Sequence, residues 1–324
     1  MVKLYHKELL SASGFFGEIC YNIPMKDLVS IHDLSRQEVS DILDLTAKIK
    51  AEPLNSERLK GKSLALIFEK PSNRTRVSFE VGMFQLGGHA VSLSAEISKR
   101  EAIEDVGKTL SRYVSGIMLR TFEHDKVVRL AHASSVPVIN GLSDLEHPCQ
   151  ALADVFTIRE WQGRAGKSKE GQGMKVAYIG DGNNVCHSLM LACAKTGLNL
   201  FIATPKGYEP AAEFMDKEGQ ITVVNDPVIA AKDADVIYTD VWTSMGQEQQ
   251  RKSKNAKFKG FQINAELVKL AKPDYIFMHC LPAHRGEEVT DEVIDSKNSV
   301  VFDQAENRLH VQKAILCLLL GGNK

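Results

Sequence analysis

The sequence predicts an α/β protein of two domains, each a mostly parallel sheet covered by helices. Three observations carry that expectation. From Ser63 onward short apolar runs alternate with segments of helical period, the pattern of parallel strands buried on both faces. The stretch Gln162 to Gly173 is rich in Gly and charge and poor in apolar residues, so it reads as a seam between two halves of similar size. A length of 324 residues is enough for two full cores.

Taken in order, residues 1–24 form an extension with Lys3, Lys7, Glu8 and Glu18 around short apolar patches. Its acids and the lack of a small-residue cleavage pattern argue against a secretory signal; a loosely ordered tail or an arm against a neighbouring subunit is the expectation. The globular pattern begins near Lys26. Ser35-Arg36-Gln37-Glu38 reads as a capping box, with Leu34 and Val39 as the hydrophobic staple. Val39, Ile42, Leu43 and Ile49 then continue at helical spacing. Strands are expected at 63–69, 90–93, 116–119, 136–139, 174–179, 199–203, 221–224, 235–239, 275–280 and 299–302, with helices filling most gaps. The helix after the first strand is marked by Val77, Val81, Phe84 and Leu86 and stops at Gly87-Gly88. Gly246 to Gly260 is a long polar loop of the kind that serves as a lid or binding loop. Ala305 to Leu320 is an apolar helix ended by Gly321-Gly322.

A hydrophobic content of 44%, a charged content of 25% and a net charge of −1 suit a soluble enzyme and give no drive toward nucleic acid or an anionic membrane. No apolar run approaches a membrane span. The six cysteines (Cys20, Cys149, Cys186, Cys193, Cys280 and Cys317) form no C-x-x-C pair and sit mostly in apolar segments, which fits reduced thiols in a cytoplasmic protein.

Five groups of residues can carry chemistry. Ser72-Asn73-Arg74-Thr75-Arg76 lies between a strand and a helix start, where free N–H groups and the positive dipole end attract an anion and Arg adds forked hydrogen bonds. The plain alternative is a solvated helix start whose arginines pair with nearby acids. His147-Pro148-Cys149-Gln150 puts Pro in a first helical turn, so His147 either donates to a substrate oxygen or merely caps the helix; Cys149 reads as core. Gly180-Asp181-Gly182-Asn183-Asn184-Val185 tempts a dinucleotide reading that fails at Val185 and at the next strand's end, Thr204-Pro205, where a ribose-binding acid is expected. Its neutral amides suit an amino-acid carboxylate. Asp240, followed by Trp242-Thr243-Ser244-Met245-Gly246, either grips an ammonium group or caps a helix. His279-Cys280-Leu281-Pro282, with His284 behind, admits a thiolate or a metal, although no matching Cys or His pair at zinc spacing occurs elsewhere.

In this order the motifs Ser72–Arg76, His147–Gln150, Asp240 through Gly246, His279–Pro282 and Ala305-Glu306-Asn307-Arg308 resemble the aspartate/ornithine carbamoyltransferase family. The likeness runs from about Lys26 to the C-terminus, and the Ser-Met-Gly loop and His-Cys-Leu-Pro turn point to its ornithine-accepting members. The resemblance implies a carbamoyl-phosphate domain (25–162), an ornithine domain (163–304) and a last helix (305–324) that packs back on the first domain. It implies trimers or assemblies of trimers, with a loop from one subunit completing the next subunit's site. By similarity Ser72, Asn73, Arg74 and Thr75 cradle phosphate. Arg120 bridges phosphate and carbonyl, His147 and Gln150 hold the carbamoyl group, and Arg308 is a further contact. Asn184, Asp240, Ser244 and Met245 match ornithine-binding positions, and Cys280 and Leu281 lie beside the reacting groups. Asn73 stands where the family usually has Thr. The stretch Ser94 to Glu101 is shorter than the family's crossing loop, with Lys99 the candidate for the contact across subunits.

The expected reaction is carbamoyl transfer from carbamoyl phosphate to the δ-amine of L-ornithine, with Arg120, His147, Asp240 and Cys280 at the reacting atoms. It requires no covalent intermediate, metal or organic cofactor. Rival readings are a carbamoyltransferase for aspartate, putrescine or an acylated ornithine, which the Asp-x-x-x-Ser-Met-Gly loop disfavours; a non-catalytic anion or amino-acid binder, for which so many reactive groups are unnecessary; and a dinucleotide-dependent oxidoreductase.

Overall fold

The computed structural model describes residues 25–51, 56–93, 100–164, 173–215, 220–243, 249 and 251–321. The extension over 1–24, most of the seam, Lys99 in the shortened stretch, and Ser244 and Met245 lie outside the described residues.

The first sheet comprises β1 (Ser63–Phe68), β2 (His89–Leu93), β3 (Gly116–Arg120) and β4 (Val138–Leu142) in the order β2-β1-β3-β4. The second comprises β5 (Lys175–Ile179), β6 (Asn199–Ala203), β7 (Ile221–Val224), β8 (Val236–Thr239) and β9 (Ile276–His279) in the order β7-β6-β5-β8-β9. Every pairing is parallel. The longer helices are α1 (Arg36–Ala51), α2 (Asn73–Gln85), α3 (Ile103–Leu110), α4 (His124–Ala133), α5 (Pro148–Arg164) and α6 (Asn184–Thr196). Short helices α7 (Pro227–Ala231), α8 (Arg251–Lys257), α9 (Ala265–Val268) and α10 (Asp291–Ile294) follow, then α11 (Val301–Leu320).

Strand order fixes where a ligand can sit. The chain reverses its direction of winding between β1 and β3 and again between β5 and β8, so loops leaving those strands part and leave a crevice at each carboxyl edge. Phe68 pairs with Arg120 at the end of the first of these crevices, and a register shift between Leu119 and Arg120 falls at the same point. Such an irregularity re-aims a side chain at a strand end.

The capping box forms as expected: Ser35 N donates to Glu38 Oε2 at 2.7 Å, and Glu38 N to Ser35 Oγ at 3.1 Å. Leu34 and Val39 are buried beside it. Helix α11 leaves the second sheet's edge and runs back against α1, α2 and α5. Two of its buried polar side chains tie it to that side: Asn307 Nδ2 donates to Thr157 Oγ1 at 2.9 Å and Glu160 Oε2 at 2.8 Å, and Lys313 Nζ to Gln85 Oε1 at 3.1 Å.

Four expectations need correction. The run 299–302 is not a strand: Ser299 makes one isolated bridge to Phe277, and Val301 already begins α11. A short apolar run such as Val300-Val301-Phe302 does not distinguish a strand from a buried helix start. The segment 136–139 becomes β4 at Val138–Leu142, which continues through Asn140 and Gly141. On α2 the periodic residues Val77, Val81 and Phe84 face outward, and the buried face is Thr75, Phe79, Gly82 and Met83. The polar stretch 246–260 holds α8, whose Lys254 is buried and pairs with Asp181 at 2.6 Å.

Candidate active site

Ser72 ends the turn after β1 and caps α2, its Oγ accepting from Thr75 N at 3.3 Å. The remaining N–H groups of that first turn point out of the helix start, with exposed Asn73 and Arg74 beside them. The two arginines of the motif part company. Arg76 pairs with Glu80 at 3.0 Å one turn along, which is the plain alternative reading. Arg74 has no carboxylate within ion-pair distance among the described residues.

Thr75 is buried and joins two further guanidinium groups. Its Oγ1 receives Arg120 Nη1 at 3.4 Å and Arg308 Nη2 at 3.2 Å, while Arg308 Nη1 donates to Gln150 Oε1. Arg120 and Arg308 are 4% and 7% exposed. Among the described residues neither has an acidic partner, and the Nε of each lacks any partner. Burial, with Arg308 and Arg74 close by, pushes the Arg120 pKa down to about 9, and burial lowers that of Arg308. A buried charge without a counter-charge is costly, so this cluster calls for an anion.

His147 follows β4 and is buried at the same cluster. Burial first, then Arg308, Arg120, Lys70 and Arg74, hold its pKa well below the ordinary imidazole value. The ring is therefore neutral at neutral pH and keeps one N–H to donate, and its Nδ1 has no partner. Its backbone N–H donates to Ser188 Oγ at 2.8 Å, tying the strand end to α6 of the second domain. Cys149 is fully buried with its pKa raised to about 11 by burial, which is the behaviour of a core thiol.

The second crevice holds Asp240 and Cys280. Asp240 follows β8 and is 5% exposed. Its Oδ1 accepts from Cys280 Sγ at 3.0 Å and Val241 N at 2.8 Å, and its Oδ2 from Asn183 Nδ2 at 2.8 Å. Burial and the neighbouring Asp240 push the Cys280 thiol pKa well above its ordinary value, so it stays protonated and is no thiolate nucleophile. Cys280 also feels the charges of Arg74, Arg120 and Arg308, which places the second crevice against the first. Leu281 takes a left-handed backbone, φ 57°, held by its N–H donating to His279 Nδ1 at 2.9 Å. The other ring nitrogen of His279 bonds Glu288 Oε1 at 3.2 Å. With both nitrogens engaged, His279 is a buried brace for the turn and has no free lone pair for a metal.

Asn184, expected on the acceptor side, directs its Nδ2 to the Ser143 carbonyl at 2.7 Å and bridges the two domains. Asn183 is the residue that reaches Asp240, and its Oδ1 also caps α6. Gly182 has a packing reason: a Cβ there would collide with the backbone of Glu209 and Pro210. The glycine-rich turn is thus closed by protein where a dinucleotide would need room.

A model of the aspartate/ornithine carbamoyltransferase carbamoyl-phosphate-binding domain matches residues 26–160, and one of the Asp/Orn-binding domain matches residues 172–319. The chain belongs to the aspartate/ornithine carbamoyltransferase family. It is 54% identical over 315 residues to an ornithine carbamoyltransferase of Thermococcus kodakarensis, covering 92% of this chain and 98% of that one. It is 53% identical over 313 residues to the anabolic ornithine carbamoyltransferase of Pyrococcus furiosus, covering 92% and 98%. The solved structure of the ornithine carbamoyltransferase from that organism superposes with a TM-score of 0.87, at 53% identity over 92% of this chain and 98% of that one. Within this carbamoyltransferase fold the carbamoyl-phosphate-binding match covers the sheet that bears Ser72 and Arg120, and the Asp/Orn-binding match covers Asp240 and Cys280.

Sequence reasoning missed Lys70, which is 8% exposed and whose charge bears on His147. Its signal was a Lys at a strand end directly before the anion turn. It also missed Asp154, a buried acid one helical turn after Gln150.

Proposed function

We propose that this chain transfers the carbamoyl group of carbamoyl phosphate to the δ-amine of L-ornithine, giving L-citrulline and phosphate. The observation that carries this reading is the buried cluster of Arg120, Arg308 and neutral His147, with no acid paired to either arginine among the described residues, facing the Asp240–Cys280 pair. One side suits a phosphorylated carbonyl and the other an amine.

On this reading the α2 N–H groups, Ser72, Asn73 and Arg74 hold the phosphate. The carbonyl oxygen faces Arg120, Thr75 and the His147 N–H, so negative charge that builds on it as the amine attacks meets fixed donors in a dry site. The C–O bond to phosphate then breaks, the electron pair leaves with the phosphate, and the phosphate carries off the proton that the attacking nitrogen sheds. Gln150 offers its carbonyl to the carbamoyl NH2. Cys280 gives its proton to Asp240 in a hydrogen bond, so sulfur lone pairs are left to accept from the δ-amine, while the positive charge of Arg74, Arg120 and Arg308 nearby favours the neutral form of that amine. Asp240, Asn184, Ser244 and Met245 are assigned to the amino-acid end of ornithine, with Leu281 against the reacting groups. The two half-sites assemble on one chain, and the reaction needs no metal or organic cofactor.

We place the protein in the cytoplasm as a trimer or an assembly of trimers. Val77, Val81 and Phe84 support self-association: they form an outward apolar stripe on α2, and Phe84 is 74% exposed. Such patches mark interaction surfaces, and this one adjoins the anion turn. Assaying ornithine, lysine, putrescine, N-acetylornithine and aspartate as acceptors with the purified protein tests the reading. Ornithine is expected to be preferred by a hundredfold or roughly so; equal use of another amine overturns the assignment.

A further inference from the structure

Asp154 sits on α5 with no exposed surface, one turn beyond Gln150. Three donors converge on its carboxylate. Gln150 Nε2 reaches Oδ1 at 2.8 Å, Gln304 Nε2 reaches the same oxygen at 2.7 Å, and Tyr238 OH reaches Oδ2 at 2.9 Å. These donors come from α5, α11 and β8. No Lys or Arg lies within ion-pair distance of it among the described residues. Stability alone does not favour such a group, since an apolar residue of similar volume would avoid the desolvation cost.

Its effect on Gln150 is specific. A primary amide has one accepting end and one donating end of nearly equal size. Asp154 accepts only, so it fixes the NH2 end of Gln150 on itself and turns the carbonyl end toward Arg308 and the cation cluster. Gln304 and Tyr238 hold the carboxylate, and Gln304 Oε1 also accepts from His279 N at 2.9 Å, one residue before Cys280. A flipped amide would set an NH2 against the Arg308 guanidinium and leave a carbamoyl NH2 without an acceptor.

We propose that Asp154 is a positioning residue that sets the orientation of the Gln150 amide and thereby makes the site select a carbamoyl group by its NH2. The proposal rests on carbamoyl phosphate being the donor substrate. It concerns hydrogen-bond direction, so a neutral acceptor in the same place should serve. An Asn there can accept from Gln150 and Gln304 on its oxygen and donate to the Tyr238 hydroxyl.

The test compares carbamoyl phosphate with acetyl phosphate, which carries a methyl in place of NH2, by calorimetry on the full-length parent, Asp154→Leu and Asp154→Asn. In Asp154→Leu the preference for carbamoyl over acetyl phosphate should shrink by about tenfold, and turnover should fall by about a hundredfold from the misplaced contact. Inorganic phosphate affinity should stay within roughly threefold. Asp154→Asn should keep both preference and turnover within roughly threefold. Asp154→Leu with an unchanged preference overturns the proposal, as does a uniform loss of affinity for all three anions, which a merely structural role predicts. If Asp154→Leu does not fold, Asp154→Asn combined with Tyr238→Phe removes the oxygen that pairs with the Asn NH2, lets that amide turn and should show the shrunken preference, while Tyr238→Phe alone should not; equal behaviour of the two overturns the proposal. A parent protein that binds no carbamoyl phosphate would instead remove the donor assignment itself.

Discussion

Arg120→Met should make the empty protein more stable while nearly abolishing its activity. Arg120 is 4% exposed, touches Thr75 Oγ1 at 3.4 Å and has no acid beside it among the described residues. Burial first, then Arg308 and Arg74, lower its pKa from the ordinary guanidinium value to about 9. At 1.36 kcal/mol per pKa unit this corresponds to about 5 kcal/mol against the charged form. For a base whose folded pKa is lowered, the whole penalty is present at neutral pH and is relieved only as pH climbs through about 9. Methionine fills similar space without the charge, so about 2 kcal/mol should remain as a gain after lost contacts are deducted. In the parent the same penalty is offset by an anion, and phosphate at a hundred times its Kd should stabilise by about 2.7 kcal/mol. Thermal midpoints in anion-free buffer and in phosphate measure both effects, and kcat should fall by about 10² to 10³ with the loss of a carbonyl-oxygen donor. An Arg120→Met protein less stable than the empty parent, or phosphate stabilising both equally, would refute the reasoning.

The neighbouring arginines should separate in the same way: Arg74→Ala should raise the barrier by roughly 2–4 kcal/mol, whereas Arg76→Ala, which loses only its pair with Glu80, should keep turnover within roughly threefold. Steady-state kinetics on the two variants decides it. Asp240→Asn should cost roughly 2–5 kcal/mol in ornithine efficiency and spare carbamoyl-phosphate affinity; an equal loss on both substrates would contradict the acceptor role. Carbamoyl phosphate should bind first, because its donors come mostly from the first domain and α11, whereas the acceptor site also draws on the second. Calorimetry showing ornithine equally tight with and without carbamoyl phosphate would exclude that order. Asp154, whose folded pKa is raised to about 6 by burial, holds a proton between the unfolded value near 4 and that point, so its contribution to stability falls as pH rises through this window. The parent should therefore be more stable relative to Asp154→Asn at pH 4.5 than at pH 7.5 by about 2 kcal/mol, read from thermal midpoints.

The sequence revealed most clearly what depends on local chemistry. The capping box at Ser35, the helix start at Ser72 and most of the sheet strands follow from patterns that need no knowledge of the rest of the chain. What escaped it depends on tertiary placement. Val77, Val81 and Phe84 have helical period, yet they face outward because Phe79 and Met83 take the core side of α2. Gly180–Asn184 has the look of a ligand loop, and only the chain at Glu209-Pro210 reveals that Gly182 is a packing glycine. Val301 and Phe302 look like strand residues until α11 is seen running back to α1, α2 and α5. Arg74, Arg120, His147, Gln150, Arg308, Asp240 and Cys280, scattered over the sequence, lie near one another in the fold. Of the two amides of the Gly180–Asn184 turn, Asn183 reaches Asp240 while Asn184 bonds the Ser143 carbonyl, a division that only the tertiary structure reveals. Asp154 was invisible since a single acid in an apolar helix carries no motif.

The most direct test of the central claim is the stoichiometry of products from purified protein given carbamoyl phosphate and L-ornithine. Citrulline and phosphate should appear in equal amounts, with phosphate release at background when ornithine is left out, because the carbonyl is attacked by the bound amine and water is kept from it. Phosphate released without matching citrulline, or no citrulline at saturating substrates from folded protein, would contradict the claim that the buried arginine cluster and the Asp240–Cys280 pair form one carbamoyl-transfer site.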